Sequence, residues 1–274
     1  MMKLAIYTKD GSLLSQERFV AFEKALRASG NDVYRISSGE DLAPETEMIL
    51  SVGGDGTFLS AAKRAGGSGI PVLGVNFGRL GFLSENSPED VLAALSTGDW
   101  VVEEREILRL AGADVPEGMY PYVLNEVAVH RRGAAMLGIK VAVDGTALPT
   151  YWADGLLVAT SSGSTAYSLS VGGPICTPES KVLIIAPIAP HNMNVRPLIV
   201  PDSTVVTVST ISRDGEIMLS ADNRSAAVPS GGEFTVSLAQ FSLKRVRLGG
   251  SSFVKALTSK LYWGGDVRNS EESK

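Results

Sequence analysis

Met48-Ile49-Leu50-Ser51-Val52-Gly53-Gly54-Asp55-Gly56-Thr57-Phe58-Leu59-Ser60-Ala61-Ala62-Lys63-Arg64 reads as a short apolar strand, a glycine turn and the start of a helix. A continuous apolar run suits a strand buried on both faces, as in a parallel sheet covered by helices. Glycines at the end of such a strand let the backbone approach a ligand, and the N–H groups opening the next helix favour an anion. The turn therefore has the makings of a phosphate cradle. One carboxylate, Asp55, stands in its middle. Phosphate repels an acid unless the acid holds a metal or takes a proton from an attacking hydroxyl, which is the catalytic reading of Asp55. The alternative is a plain strand-to-helix connection with Asp55 as the helix N-cap.

On both sides of this turn, strand and helix signals alternate over residues 1–100. Residues 4–7, 32–36 and 72–75 are strand-like; residues 15–29 carry Phe19, Phe22 and Leu26 at helical spacing and stop at Gly30. Ser87-Pro88-Glu89-Asp90 opens another helix with a capping serine, proline in the first turn and acids behind it. This alternation predicts an α/β N-terminal domain with a Rossmann-like open sheet, whose ligands bind at the carboxyl ends of strands, where Asp55 lies. From about residue 101 the texture changes. Segments 101–110, 122–130, 138–143, 156–160, 182–185, 204–211, 216–220, 234–238 and 244–248 are strand-like, with turns such as Asp144-Gly145 and Asp214-Gly215 between several of them. A β-rich second domain over residues 101–250 follows, interrupted by a helix near 164–170. Residues 252–261 return to helical spacing through Phe253, Leu257 and Leu261, so that 251–266 are expected to pack back on the first domain, and 267–274 form a tail.

Bulk properties narrow the function. Of 274 residues, 44% are hydrophobic and 20% charged, which is globular composition, and the formal net charge of −5 argues against a nucleic-acid surface. A single cysteine, Cys176, rules out an intramolecular disulfide and fits a reducing compartment. The N-terminus meets Lys9-Asp10 too soon for a signal peptide, and the apolar stretch 182–189 is far shorter than the roughly 20 residues of a membrane span. A cytoplasmic protein without membrane contact is expected.

The chain has no G-x-x-x-x-G-K-[ST] loop, no G-x-G-x-x-G and no G-x-S-x-G. His130 and His191 are the only histidines and do not pair at metal-ligand spacing, so no metal site made by protein alone is expected. Three stretches remain. Gly74-Val75-Asn76-Phe77-Gly78-Arg79-Leu80-Gly81-Phe82-Leu83 is a second close-approach loop at the same sheet edge as Asp55, its aromatics either against a flat ligand or in the core. Asn125-Glu126 lies within a strand-like run, where neighbouring side chains point to opposite faces. Residues 154–174 join Asp154, a strand, a hydroxyl-rich glycine turn and a short helix carrying Tyr167; hydroxyls and N–H groups there can serve ribose, base or phosphate, or simply cap the helix.

Taken in order, these stretches resemble the NAD kinase family, through Pro187-Ile188-Ala189-Pro190-His191 and Arg196-Pro197 to Lys260-Leu261-Tyr262-Trp263-Gly264. The Gly53–Thr57 turn is shared with phosphofructokinases and with diacylglycerol and sphingosine kinases; residues 154–174 combined with Asn125-Glu126 are more specific. The resemblance implies an α/β domain followed by an all-β sandwich with the active site between them, assembly as a homodimer or homotetramer, and phosphorylation of the adenosine 2′-hydroxyl of NAD by ATP or another phosphoryl donor. It implies Asp55 as the base with Gly56 beside it, and Gly53, Gly54 and Thr57 at the donor phosphates. Asn125 and Glu126 match the pair that holds a ribose, and Asp154 an acid at the subunit contact. Thr165, Ala166, Tyr167 and Ser170, with Ser162, Ser168 and Leu169 among them, match the turn that receives the adenine end. Phe77 matches a position near the adenine and Ala189 one near the nicotinamide. Two further dinucleotide positions depart from the family: Trp152 stands where bacterial relatives often have a basic residue, and Arg224 ends Asp222-Asn223-Arg224 where many have Asp-Gly-Gln. Mg²⁺ or another divalent cation would come with the nucleotide. A lipid or other small-alcohol kinase with the same turn, and a non-catalytic dinucleotide sensor, are the alternatives.

Overall fold

The computed structural model of the chain describes residues 1–274 except 38, 79, 80, 262 and 264–274. In chain order come β1 (Lys3–Tyr7), α1 (Glu17–Ala28), β2 (Asp32–Ile36), β3 (Met48–Val52), α2 (Asp55–Ala65), β4 (Val72–Val75), α3 (Pro88–Thr97) and β5 (Trp100–Arg105). Next are β6 (Leu108–Ala111), β7 (Tyr122–Val123), β8 (Glu126–Arg131), β9 (Leu137–Val143), β10 (Thr146–Ala147), β11 (Tyr151–Ala153), β12 (Gly155–Thr160) and α4 (Tyr167–Ser170). The chain ends with β13 (Val182–Ile188), β14 (Leu198–Pro201), β15 (Val206–Ile211), β16 (Glu216–Ala221), β17 (Arg224–Pro229), β18 (Glu233–Leu238), β19 (Leu243–Leu248) and α5 (Phe253–Leu261). Two compact units result: Met1–Glu104 with the chain from Lys244 onward, and Arg105–Leu243.

The first unit is an α/β domain. Its sheet runs β2-β1-β3-β4-β19-β5, with β1, β2, β3 and β4 parallel and β19 parallel to β4. All five residues of β3 are buried, as an apolar run in a covered parallel strand requires. Phe19, Phe22 and Leu26 of α1 face the sheet core with Leu4, Ile6, Leu50 and Val246. Each such side chain contributes about 1.5–3 kcal/mol on burial. At the start of α3, Ser87 and Asp90 form the reciprocal capping box and Pro88 begins the helix. Helix α5 belongs to this unit; the expected 267–274 tail lies outside the described residues, as do Tyr262 and 264–266.

The second unit is a sandwich of two antiparallel sheets. One runs β10-β9-β15-β18-β6-β7 with β11 paired to β9, the other β14-β13-β12-β8-β16-β17. Val127 and Val129 of β8 meet Ile139, Val208 and Phe234 of the facing sheet in one core. Ala128, on the opposite face of β8, packs with Leu157, Ala159, Ile184 and Ala186 beneath Tyr167 and Val171. The second sheet is thus covered on both sides, which is why β12 is buried throughout.

Four sequence expectations change. Residues 101–110 form two strands in different sheets, β5 and β6, rather than one strand opening the second domain. The run 244–248, expected there too, sits between β4 and β5 in the first sheet. Residues 122–130 are likewise two strands: β7 pairs β6 in one sheet, β8 lies in the other, and Leu124-Asn125 is the corner. The helix near 164–170 is a 3₁₀ turn, Ser162–Thr165, followed by the short α4.

Candidate functional site

In the first unit, β3 ends at Val52 and its edge delivers the glycine turn. Gly53 has φ +144°, and a Cβ there would lie 2.5 Å from Thr57 Oγ1, so only glycine fits. Gly54, exposed, is the N-cap of α2, and Asp55 is the first residue of the helix rather than its cap. The Asp55 carboxylate turns instead to the second glycine loop. Its Oδ2 accepts from the N–H of Phe82 at 2.9 Å, and its Oδ1 from Leu83 at 3.0 Å and Ser84 at 2.8 Å. Gly81 lies so close to this carboxylate that a Cβ would overlap it. Sequence reasoning brought the two loops to one edge; it did not foresee that one is bonded to the acid of the other. Arg79 and Leu80 lie outside the described residues. The ring of Phe77 packs 5.9 Å from that of Phe19 and 5.8 Å from that of Phe22, under the Arg18 guanidinium.

In the second unit, Asn125 and Glu126 are positioned by a residue nearly a hundred places away. The Asp222 carboxylate, in the two-residue connection from β16 to β17, accepts from the N–H of Leu124 at 3.0 Å and of Asn125 at 2.8 Å, and the Asp222 N–H donates to Glu126 O at 3.0 Å. From below, Thr160 N–H donates to Asn125 O, and Gly163 packs so tightly on Asn125 that a side chain would overlap it. Glu126 shares a face of β8 with Ala128 and His130, the face under Tyr167. Tyr167 stacks on His130 at 5.6 Å and its N–H donates to the Glu126 carboxyl. Burial and the Asp222 charge push the Glu126 carboxyl up to about 7. Among the described residues Glu126 Oε2 and Ser162 Oγ are buried without a hydrogen-bond partner, and unsatisfied buried groups of this kind are rare in folded proteins.

The remaining expected residues divide. Thr165, Ala166, Leu169 and Ser170 are partly or fully exposed along the turn and α4, while Ser168 is buried with its Oγ against Gly173. Asp154 holds the Arg131 guanidinium, at 2.6 Å and 3.3 Å. Trp152 is 42% exposed and lies over Gly138. Ala189, just past β13, has φ +46°. Arg224 is inward: it donates to Tyr122 O at 3.0 Å, lies 3.9 Å from Asp222 and covers the Tyr120 ring. Asp222, which the sequence marks only as the first residue of Asp222-Asn223-Arg224, is the residue that organises this corner, and it does so from a hairpin turn where its φ is +51°.

A glycine-opened helix beside an oriented carboxylate suits phosphoryl transfer, and a buried amide and acid under a hydroxyl-rich turn suit a sugar hydroxyl. By class the chain is a small-molecule kinase. Residues 24–98 match the ATP-NAD kinase N-terminal domain and residues 124–248 the ATP-NAD kinase C-terminal domain. An NAD kinase of Bacteroides fragilis is 40% identical over 255 residues, covering 92% of this chain and 86% of that one; one of Flavobacterium psychrophilum is 39% identical over 260 residues, covering 93% and 88%. Among solved structures, an NAD kinase from Archaeoglobus fulgidus in complex with ATP superposes with TM-score 0.78 at 27% identity, over 95% of this chain and 99% of that one. A yeast NADH kinase complexed with NADH has the same fold, with TM-score 0.84 at 23% identity over 98% of this chain and 90% of that one. The chain belongs to the NAD kinase family.

Proposed function

We propose that Asp55 is the general base with which this chain phosphorylates NAD at the adenosine 2′-hydroxyl, with ATP as the phosphoryl donor. The observation that carries this reading is the orientation of the carboxylate by three backbone N–H groups. Two of them serve Oδ1 and one serves Oδ2, so that, with two lone pairs per oxygen, Oδ2 keeps an acceptor position. A ribose hydroxyl that donates there gives its proton to Asp55 as its oxygen bonds to the terminal phosphorus. The bond from that phosphorus to the bridging oxygen breaks, and the nucleoside diphosphate leaves with the electron pair. Proton acceptance of this kind is worth about 10²–10⁴ in rate, the rest coming from alignment.

Asn125 and Glu126 hold a ribose of NAD, with Glu126 as an acid that keeps its proton to about pH 7 and can donate it in a hydrogen bond. Thr165, Ala166, Tyr167 and Ser170 take the adenine end, and Gly53, Gly54 and Thr57 the donor phosphates. Among the described residues no group of three His, Cys, Asp or Glu side chains could hold a metal. Mg²⁺ or another divalent cation would enter with the triphosphate and neutralise it. By the same family likeness the chain works as a homodimer or homotetramer, and its single cysteine fits the reducing cytoplasm. No helix among the described residues is long and apolar enough to cross a membrane.

The test is NADP formation from NAD, ATP and Mg²⁺ by purified protein, with Asp55→Asn in parallel. Asp55→Asn is expected to lose about 10²–10⁴ in turnover while still binding NAD; wild-type turnover in that variant rejects the base. Lipid-dependent ATP turnover without NADP would make the chain a lipid kinase. Tight NAD binding with no product from ATP, other triphosphates or polyphosphate would make it a sensor.

A further inference from the structure

Residues 81–85 are gripped from two sides. Asp55 accepts the N–H groups of Phe82, Leu83 and Ser84, and two cations take carbonyls of the same loop. Lys260 Nζ donates to Gly81 O, and Arg245 Nη2 to Phe82 O at 3.3 Å. Glu85 ties the cations together, bonded to Arg245 and 3.6 Å from Lys260 Nζ. Lys260 is the penultimate residue of α5, beyond the segments matched by either family domain. Its ammonium lies 5.1 Å from the centre of the Phe82 ring, and its side chain is only 13% exposed.

A lysine this enclosed is costly unless its charge is used. Adhesion of α5 alone would be served by an apolar residue, and Arg245 already neutralises Glu85 and holds Phe82 O. What Lys260 adds is a fixed Gly81 carbonyl, and Gly81 is the loop residue pressed against the Asp55 carboxylate. We propose that Lys260 is a positioning residue for phosphoryl transfer: by pinning the Gly81 carbonyl it holds the three N–H groups that aim Asp55. The proposal rests on the reading of Asp55 as the base. Burial lowers the Lys260 ammonium pKa while Glu85 and Asp55 oppose the shift, so the lysine is electrically coupled to the acid it positions. A displacement of the carboxylate by a fraction of an ångström to an ångström is enough to reduce turnover severely without touching substrate affinity.

The experiment is steady-state kinetics on the full chain for Lys260→Met, Lys260→Arg and Asp55→Asn. Lys260→Met keeps the apolar stem over Phe82 and removes donor and charge; its kcat is expected to fall about tenfold or more, with KM for NAD within about twofold of wild type. Lys260→Arg, which restores both donor and charge, is expected to recover most of kcat. Wild-type kcat in Lys260→Met, a change in KM alone, or no recovery with arginine overturns the proposal. Should Lys260→Met not fold, Lys260→Gln is expected to lose about threefold or more in kcat, and wild-type kcat in that variant overturns the proposal equally. An inactive Asp55→Asn beside an unimpaired Lys260→Met rejects the positioning role alone; an active Asp55→Asn rejects the base itself.

Discussion

Buried beside Asp222 and given one backbone donor by Tyr167, the Glu126 carboxyl keeps its proton to about pH 7, against an ordinary value of 4.5. Asp222 is pushed up by burial too, but it has backbone donors from Leu124, Asn125 and Glu126 and the Arg224 guanidinium nearby. Between pH 4.5 and about 7 the folded chain holds a proton that the unfolded chain has released, so stability falls as pH rises through that window. Urea midpoints measured from pH 5 to pH 8 are expected to decline for wild type and to stay flatter for Glu126→Gln; parallel curves would show that Glu126 does not titrate there. Ala189 offers a second residue-scale test. Its φ of +46° is costly for an L side chain, and Ala189→Gly is expected to raise stability by roughly 0.5–1 kcal/mol in the same assay.

The glycine turn and the α3 cap behave as elements, because the residues that shape them are local. Gly53→Ala forces a Cβ into Thr57 at a φ of +144°, so it is expected to displace the start of α2 and lower turnover about tenfold or more, read as kcat with melting as control. Ser87→Ala removes one half of a capping box and is expected to cost about 1 kcal/mol with turnover intact. Such local punctuation is what makes β3, the turn, α2 and the start of α3 legible in sequence. The corner at Leu124-Asn125 carries no comparable mark: the carboxylate that turns it belongs to Asp222, far along the chain, and the residues on either side are equally strand-like. The bond from Asp55 to residues 82–84 was hidden for the same reason, since nothing at Asp55 names its partner.

At the scale of the molecule, the first unit is discontinuous, and its sheet is closed by a strand that reads in sequence as the last β segment of the second domain. Strand β19 lies between β4 and β5, so without it the two have no common neighbour and β5 has no place in the sheet. It also brings Val246 and Leu248 into the core, and α5 adds Ala256. Two fully buried aliphatic side chains are worth about 1.5–3 kcal/mol each, before any strand hydrogen bond is counted, against a net stability of about 5–15 kcal/mol for a domain. Residues 1–104 by themselves therefore forfeit a large share of what holds the unit together, whereas Arg105–Leu243 contains both of its sheets complete. Expressed separately, residues 105–243 are expected to melt cooperatively with β-type circular dichroism, and residues 1–104 to give no cooperative transition. Joining residues 244–261 to 1–104 through a flexible linker is expected to restore one; a cooperative melt of 1–104 without them would mean that β1–β4 and their helices form a self-sufficient core and that β19 is an addition to it.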